Sequence, residues 1–245
     1  MGTYKLLALD MDGTLLNEES LISEENRQAI HAALEAGVTV IFSTGRGVQS
    51  ALPFAVELGL QTPMITANGS EIWRAPGNLL KRHKLSADLV RRLHTVAVKY
   101  DSWWWAYAVE GMYNTENWIE DIDSPEWLKF GFFTENLTVL SEIRQLVAAW
   151  GELEITNSHP SNLEINPRGI SKASGLLELC EVLNISMSEV VAMGDSENDT
   201  AMIRKAGLGV AMGNAQEGVK LIADHVTVTN NEHAVAKIIY DYILT

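Results

Sequence analysis

Short apolar runs alternate with segments whose apolar positions recur at helical spacing over the first part of the chain. The predicted elements are, in order, a strand at residues 5–10, a helix at 23–35, a strand at 38–43, a helix from Gly47 to about Leu58, and a strand at 63–67. Strands that alternate with helices in this way form parallel sheets with right-handed crossovers. The pattern therefore predicts an α/β layer.

The same alternation returns after Ser171. The predicted elements there are a helix to about Leu183, a strand at 189–195, a helix near 197–205, a strand at 207–212, a short helix, a strand at 225–229 and a final helix. Because both stretches share one pattern, we expect them to build a single sheet.

The middle of the chain has a different pattern of predicted helices and strands. From about Leu80 to Asn166 the predicted elements are a strand, a helix at 88–99, strands at 103–109, 112–115 and 129–134, a helix at 138–150, and strands at 153–158 and 162–167. A helix followed by two strands occurs twice, which is a weak repeat of α+β type. We predict an α/β fold in which a Rossmann-like parallel sheet core, residues 1–80 and 168–245, carries an inserted α+β cap, residues 81–167.

Composition narrows the class of protein. The chain has 245 residues, 47% hydrophobic and 20% charged, which suits a core with a smaller inserted domain. Its net charge of -14, without a run of Lys or Arg, argues against a nucleic-acid partner. The single cysteine, Cys180, fits a reducing compartment. No apolar run has the length of a membrane span, so we expect a cytoplasmic protein with no membrane partner.

Asp10 and Asp12 stand at the end of the first apolar run. Side chains two positions apart on a strand point the same way, and open parallel sheets bind ligands at the carboxyl ends of their strands. Burying an uncompensated carboxylate here would be costly, which indicates a function. The alternative is a solvated turn built on Gly13 and Thr14.

Two further positions have chemistry that suits an anion. Thr44 ends the second predicted strand, where its hydroxyl and the amides of Gly45 and Arg46 can donate to a phosphate oxygen. Lys172 begins a helix, where a lysine opposes the helix dipole. The plainer alternatives are a helix cap at Thr44 and an exposed lysine at 172.

A second acidic group follows a later strand. Asp195 ends the strand at 189–195, and Asn198 and Asp199 lie in the first turn of the next helix. These residues can act as helix caps with acids that favour the dipole. Their position at a strand end, like that of Asp10, also makes them candidates for the same site.

Together these stretches resemble the haloacid dehalogenase-like hydrolase superfamily over essentially the whole chain. The segment "DMDGT" at 10–14, Thr44, Lys172 and "GDSEND" at 194–199 match its four motifs, and the insertion resembles the cap of the Cof-type subfamily IIB. The segments "TANGS" at 66–70 and "MGNA" at 212–215 also match that subfamily.

The resemblance implies roles for these residues. Asp10 would be the nucleophile that forms an aspartyl-phosphate, and Asp12 the general acid and base. Asp10, Asp195 and the backbone carbonyl of Asp12 would hold Mg²⁺, with Asn198 and Asp199 completing or orienting its ligands. The substrate phosphate would bind Thr44, Gly45, Lys172 and Asn198.

The expected function is a Mg²⁺-dependent phosphomonoester hydrolase that acts on a small phosphorylated metabolite, with sugar phosphates favoured by the resemblance. A phosphoglycolate-type phosphatase or a phosphotransferase on the same core is an alternative. Dehalogenases lack the second aspartate, and a non-catalytic phosphate sensor has no need of Asp12. We expect a small phosphate ester as partner and a monomer or homodimer.

The segment "SWWWAY" in the insertion places large aromatic side chains on both faces of a strand. Trp103, Trp105 and Tyr107 share one face, and Trp104 and Ala106 share the other. We expect one set to pack in the cap interior. The other set is open to contact with substrate or with a partner subunit.

Overall fold

The computed structural model describes residues 3–245. In chain order the strands are β1 (Leu6–Leu9), β2 (Thr39–Ser43), β3 (Met64–Thr66), β4 (Glu71–Ala75), β5 (Asn78–Arg82), β6 (Trp103–Ala108), β7 (Gly111–Asn114), β8 (Trp127–Phe133), β9 (Leu153–Thr156), β10 (Asn162–Pro167), β11 (Val190–Gly194), β12 (Leu208–Ala211) and β13 (His225–Val226).

The α-helices are α1 (Glu24–Glu35), α2 (Val48–Glu57), α3 (Ala87–Lys99), α4 (Leu137–Ala148), α5 (Lys172–Leu183), α6 (Thr200–Lys205), α7 (Glu217–Lys220) and α8 (Ala234–Ile238). A short 3-10 turn, Glu197–Asp199, precedes α6, and a π-helical turn, Ile239–Ile243, continues α8. No helix among residues 3–245 is both long and apolar enough to cross a membrane.

The core is an eight-stranded sheet in the order β13-β12-β11-β1-β2-β3-β4-β5. The strand β1 lies between β2 and β11, parallel to both, and all four of its residues are buried. A strand covered on both faces needs an apolar run, which explains the sequence Leu-Leu-Ala-Leu. Strands that follow β1 in the first part of the chain are added on one side of it, and β11 to β13 are added on the other side. Ligands bind at the point where the strand order switches in this way.

The edge of the core sheet differs from the sequence prediction. We expected one strand near Leu80 to belong to the insertion, but β4 and β5 form an antiparallel hairpin that extends the core sheet as far as Arg82. Ile72 and Trp73 on β4 are buried against the core, which holds the hairpin there. The expected boundary between residues 80 and 81 therefore falls inside β5.

The cap is a five-stranded antiparallel sheet in the order β7-β6-β8-β10-β9, with α3 and α4 packed against it. Buried aromatic and aliphatic side chains fill the space between sheet and helices, among them Trp127, Phe130 and Val90. The predicted fold class, an α/β parallel core with an inserted α+β cap, is confirmed. The division at residues 1–80, 81–167 and 168–245 stays a prediction, and residues 1 and 2 lie outside the described part.

Candidate active site

The ends of β1, β2 and β11 meet the first turn of α5 at one place in the core. Parallel pairing brings Asp10, Thr44 and Asp195, which follow these strands, to the same sheet edge. The Asp10 amide donates to the Met193 carbonyl at 3.1 Å, which fixes the loop after β1 against β11.

Lys172 is the central cation of this edge. Ser171 and Ser174 form a capping box that starts α5, so Lys172 is the first residue of the helix. Its Nζ donates to Asp10 Oδ1 at 2.6 Å and to Asp199 Oδ1 at 2.7 Å, and its side chain is 1% exposed. Burial lowers the pKa of Lys172, but the two carboxylates outweigh burial and raise the pKa above its ordinary value. The lysine is therefore charged.

Three carboxylates surround this one lysine. Oxygens of Asp10, Asp195 and Asp199 lie within 4.8 Å of one another. Burial raises the pKa of Asp10 well above its usual range; Lys172 opposes this rise, while Asp199 and Asp195 add to it. Burial, and then Asp199, raise the pKa of Asp195 to about 6. If all three acids were ionised, Lys172 would neutralise only one of the three charges, and the raised pKa values of Asp10 and Asp195 reflect the cost of that excess.

The donor set at this cluster fits a hard divalent cation. All the converging groups are oxygens, the ligand type that Mg²⁺ takes. Thr14 and Ser196 donate to the two oxygens of Asp195, at 3.1 and 2.8 Å, and fix its orientation. The Oδ1 of Asn198 is buried without a hydrogen-bond partner in the described chain. A side chain at Gly13, whose φ is +80°, would meet Asp195 at 2.8 Å, so only glycine allows this close approach.

The Asp12 carboxylate turns away from the acidic cluster. Arg46 binds it through two hydrogen bonds, from Nε at 2.8 Å and from a terminal nitrogen at 2.6 Å. The guanidinium also lies 5.1 Å from the centre of the Phe54 ring, which restricts its position. From the sequence, only the backbone amide of Arg46 was expected to take part in the site. Its side chain was missed, although its place two residues after Thr44 was a usable signal.

Thr44 and Gly45 lie in the loop that follows β2. Thr44 is buried, and its Oγ1 accepts a hydrogen bond from the Arg46 amide at 3.1 Å, so that amide is engaged within the loop. Gly45 lines the cavity in front of Asp10 and Asp12. The hydroxyl thus closes the turn after β2, and it does not cap α2, whose N-cap is Gly47, so the helix-cap alternative is not observed. Its assignment to the substrate phosphate stays a prediction.

Two charged residues of the cap reach the same place and were missed from sequence. Lys129 on β8 donates from Nζ to the Gly45 carbonyl at 2.6 Å and to Glu164 Oε1 at 3.0 Å. Glu164 on β10 accepts from Asn68 at 2.6 Å and from Asn198 at 3.3 Å. Neither charged residue belongs to a motif, so only the docking of the cap identifies them.

Burial and pairing set the charges of this pair. Burial alone would raise the pKa of Glu164, but Lys129 and the Asn68 amide bring it below its ordinary value. Burial lowers the pKa of Lys129, and Glu164 opposes that effect. The two side chains are 1% and 6% exposed, so each depends on the other for compensation.

A cavity of about 390 Å³ lies between core and cap. One side holds the acids and Asn198, and the other is an aromatic wall. The wall residues on the cap sheet are Trp103, Trp105, Tyr107, Met112 and Phe133. Trp104 instead packs in the cap beside His94 and Trp118. The predicted division of the aromatic strand into two faces is therefore observed, and the Trp105 face is turned to the cavity.

A family model of haloacid dehalogenase-like hydrolases matches residues 7–138 and 114–239 of the chain. The chain belongs to this family. A 5-amino-6-(5-phospho-D-ribitylamino)uracil phosphatase of Bacillus subtilis is 48% identical over 240 residues, which cover 98% of this chain and 96% of the relative. The expectation of a phosphatase within the haloacid dehalogenase-like hydrolases is thereby confirmed at the level of enzyme class.

Solved structures of haloacid dehalogenase-like hydrolases have the same architecture. One from B. subtilis has a TM-score of 0.90 at 27% identity, with coverage of 96% of this chain and 99% of that one. A sugar phosphatase of subclass IIB has a TM-score of 0.84 at 22% identity, with coverage of 98% and 100%. The second likeness shows the fold alone.

Proposed function

We propose that this enzyme hydrolyses a phosphate monoester in the presence of Mg²⁺, with Asp10 as nucleophile. The observation that carries the proposal is Lys172, which is buried and bound to Asp10 and Asp199 beside Asp195. One lysine among three carboxylates leaves negative charge uncompensated, and a cation would balance it. When bound, Mg²⁺ would neutralise the cluster and withdraw charge from the phosphoryl oxygens.

The first chemical step belongs to Asp10. Lys172 holds its Oδ1, and the second carboxylate oxygen attacks phosphorus while the bond from phosphorus to the leaving oxygen breaks. The products of this step are an aspartyl-phosphate and the alcohol. Lys172, Thr44, Gly45 and Asn198 are the groups we assign to the phosphoryl oxygens.

Proton transfer belongs to Asp12, which lines the cavity beside Asp10. It gives its proton to the departing oxygen, and then takes a proton from the water that attacks the aspartyl-phosphate. That attack releases inorganic phosphate and restores Asp10. In this structure Arg46 donates to both oxygens of Asp12, so one of these hydrogen bonds must break before Asp12 can carry a proton. Arg46 is a positioning residue for these transfers.

For the substrate, we propose a phosphorylated sugar-alcohol chain joined to a planar heterocycle, as in 5-amino-6-(5-phospho-D-ribitylamino)uracil. Two observations support this class: the name of the relative at 48% identity, and a cavity with acids at one side and aromatic rings at the other. A plain sugar phosphate, the class favoured by the sequence, needs no such wall.

The test measures phosphate release from 5-amino-6-(5-phospho-D-ribitylamino)uracil, D-ribitol 5-phosphate, a hexose phosphate and phosphoglycolate, each with Mg²⁺ or with excess EDTA. We expect the ring-bearing ester to have the highest kcat/KM and EDTA to abolish activity. Full turnover in EDTA would contradict the metal proposal. A clear preference for the hexose phosphate or for phosphoglycolate would contradict the substrate proposal.

A further inference from the structure

The indole of Trp105 lies flat on the neighbouring strand of the cap. Trp105 on β6 pairs directly with Gly131 on β8. A Cβ placed on Gly131 would come within 2.3 Å of the Cε2 and Cζ2 atoms of the indole. Any other residue at 131 would therefore push the ring off the strand. Glycine at this position allows one face of the indole to pack on the sheet.

The other face of this indole is turned to the cavity. Trp105 and Trp103 both line the cavity, their ring centroids are 5.5 Å apart, and their planes are inclined by 31°. Phe133, which pairs with Trp103 across the strands, continues the same wall. These rings form an apolar surface that the cap sheet supports from behind.

Packing inside the cap does not require this surface. The cap interior lies on the opposite face of the sheet, where Trp104, Trp127 and Phe130 are packed. Trp103 remains 41% exposed. Large apolar side chains that share one exposed wall beside polar groups are typical of a ligand site.

Tyr107 has a different role, although it shares the strand face. Its ring lies 5.1 Å from the Lys129 ammonium and within 3.1 Å of the position of a Cβ on Gly47. The first distance lies within the cap, and the second shows that the ring approaches the loop before α2 so closely that a side chain at Gly47 would crowd it. Tyr107 is therefore committed to the interface between cap and core, and Trp105 and Trp103 are left to face a ligand.

We propose that Trp105, supported by Gly131 and flanked by Trp103, stacks on a planar heterocycle in the leaving group of the substrate. This assignment rests on the proposed function and adds to it the residues that select the ring. Stacking adds binding energy only for esters that carry a ring. The indole surface of Trp105 and Trp103, which we call the platform, thus favours ring-bearing esters over phosphorylated polyols that bind through the phosphate alone.

The experiment compares two substrates that differ by the ring, 5-amino-6-(5-phospho-D-ribitylamino)uracil and D-ribitol 5-phosphate. Trp105→Leu is expected to lower kcat/KM about tenfold for the first and by less than about twofold for the second. Gly131→Ala should act in the same direction, because it displaces the indole. Trp150→Leu is the matched control, since Trp150 is a cap tryptophan outside the cavity whose ring lies 4.1 Å below Arg92.

A second measurement needs no turnover. Titration with the dephosphorylated product, 5-amino-6-(D-ribitylamino)uracil, is followed by quenching of tryptophan fluorescence in the wild type and in Trp105→Leu. We expect saturable binding that is weakened about tenfold in the variant and unchanged in Trp150→Leu. Circular dichroism and thermal melting establish that each variant is folded.

The outcomes separate this assignment from the proposed function. Equal loss of kcat/KM for both substrates, or no loss for either, overturns the stacking role. If the wild type hydrolyses none of the esters, the proposed function fails. The titration then decides the platform by itself: ring binding that depends on Trp105 supports it, and absent or Trp105-independent binding overturns it.

Discussion

Asp10 is the side chain on which the proposed chemistry depends most directly. Asp10→Asn keeps the size of the group and its hydrogen-bonding shape but removes the nucleophilic charge. We expect kcat to fall by more than about a thousandfold, while the melting temperature stays within a few degrees of the wild-type value or rises. Single-turnover assays and thermal melting test this. Turnover close to wild type would contradict a covalent intermediate on Asp10.

Substitution of Asp12 should reduce activity less than substitution of Asp10. General acid-base assistance is worth about 10²- to 10⁴-fold, so Asp12→Asn is expected to retain measurable activity where Asp10→Asn does not. The discriminating measurement is a leaving-group series. Esters of acidic alcohols need no protonation of the departing oxygen, so Asp12→Asn should lose least on them. An equal loss on all leaving groups would argue that Asp12 acts at another step.

Ionisation of Asp195 makes the free energy of unfolding depend on pH. Burial and Asp199 raise its folded-state pKa to about 6, above the value of an unfolded chain, so the folded state binds the extra proton between these values. The free energy of unfolding must then fall as pH rises from about 4 to about 6, and the loss persists above that range. The metal-free fold is therefore less stable with Asp195 ionised.

The free energy of unfolding of Asp195→Asn is compared with that of the wild type at two pH values. In EDTA, Asp195→Asn relative to wild type should gain about 2 kcal/mol in the free energy of unfolding when the pH rises from about 4.5 to about 7.5. Urea unfolding at the two pH values measures it, and comparison across pH cancels the hydrogen bonds that the amide cannot make. Mg²⁺ should stabilise the wild type and not the variant. No pH dependence of the difference would contradict the cause assigned to the pKa shift.

The cap strands β8 and β10 help to hold the cap on the core, a role that could not be predicted from their sequences. Their strand pairing brings Lys129 and Glu164 together under the cap, and Lys129 also binds the carbonyl of Gly45 in the core. A buried charge that loses its partner costs about 3–5 kcal/mol, much more than the net value of the pair. The two strands therefore hold cap and core together through an interaction that requires both charges.

Lys129→Met is accordingly expected to lower the free energy of unfolding by about 3 kcal/mol, because it leaves Glu164 buried without a cation. Adding Glu164→Gln to this variant should restore more than half of the loss. Urea unfolding of the two single variants and the double variant completes the thermodynamic cycle. Additive losses in the double variant would mean that the two side chains are not coupled.

The molecule as a whole divides the site between two units. The cap carbonyl of Asn157 accepts a hydrogen bond at 3.0 Å from the Asn198 amide in the core. The Ser196 hydroxyl, which donates to Asp195, also lies 3.0 Å from the cap carbonyl of Ser158. Arg144 on α4 forms an ion pair with Glu197 in the same core turn. The turn that carries the acidic cluster is thus also the surface on which the cap closes.

We therefore expect Arg144→Ala to favour an open cap and to raise KM about two- to fivefold, with a smaller change in kcat, because a half-exposed ion pair is worth up to about 1 kcal/mol. Arg92→Ala is the control, since the Arg92 pair with Glu152, at 2.8 Å, lies within the cap. Equal effects of the two variants on KM would show that the crossing pair has no part in closure.

Features that depend on local pattern could be predicted from the amino-acid sequence. Apolar periodicity located most of the elements, and the ends of β1, β2 and β11 placed Asp10, Thr44 and Asp195 at one sheet edge because parallel strands share an end. The start of α5 at Lys172 was likewise predicted, although its capping box of Ser171 and Ser174 was not. The roles of these residues came from the resemblance, since a carboxylate at a strand end has several uses.

Other features of the site depend on contacts between residues that are distant in the sequence. Period-two spacing shows that Trp105 and Trp104 face opposite ways, but the docking of the cap determines which face meets the cavity. The pairing of Arg46 with Asp12 and of Lys129 with Glu164 joins residues 34 and 35 positions apart in sequence. Such contacts depend on how strands are ordered and how the cap closes. Strand order and cap docking are set by long-range contacts, which local propensity and residue spacing do not determine.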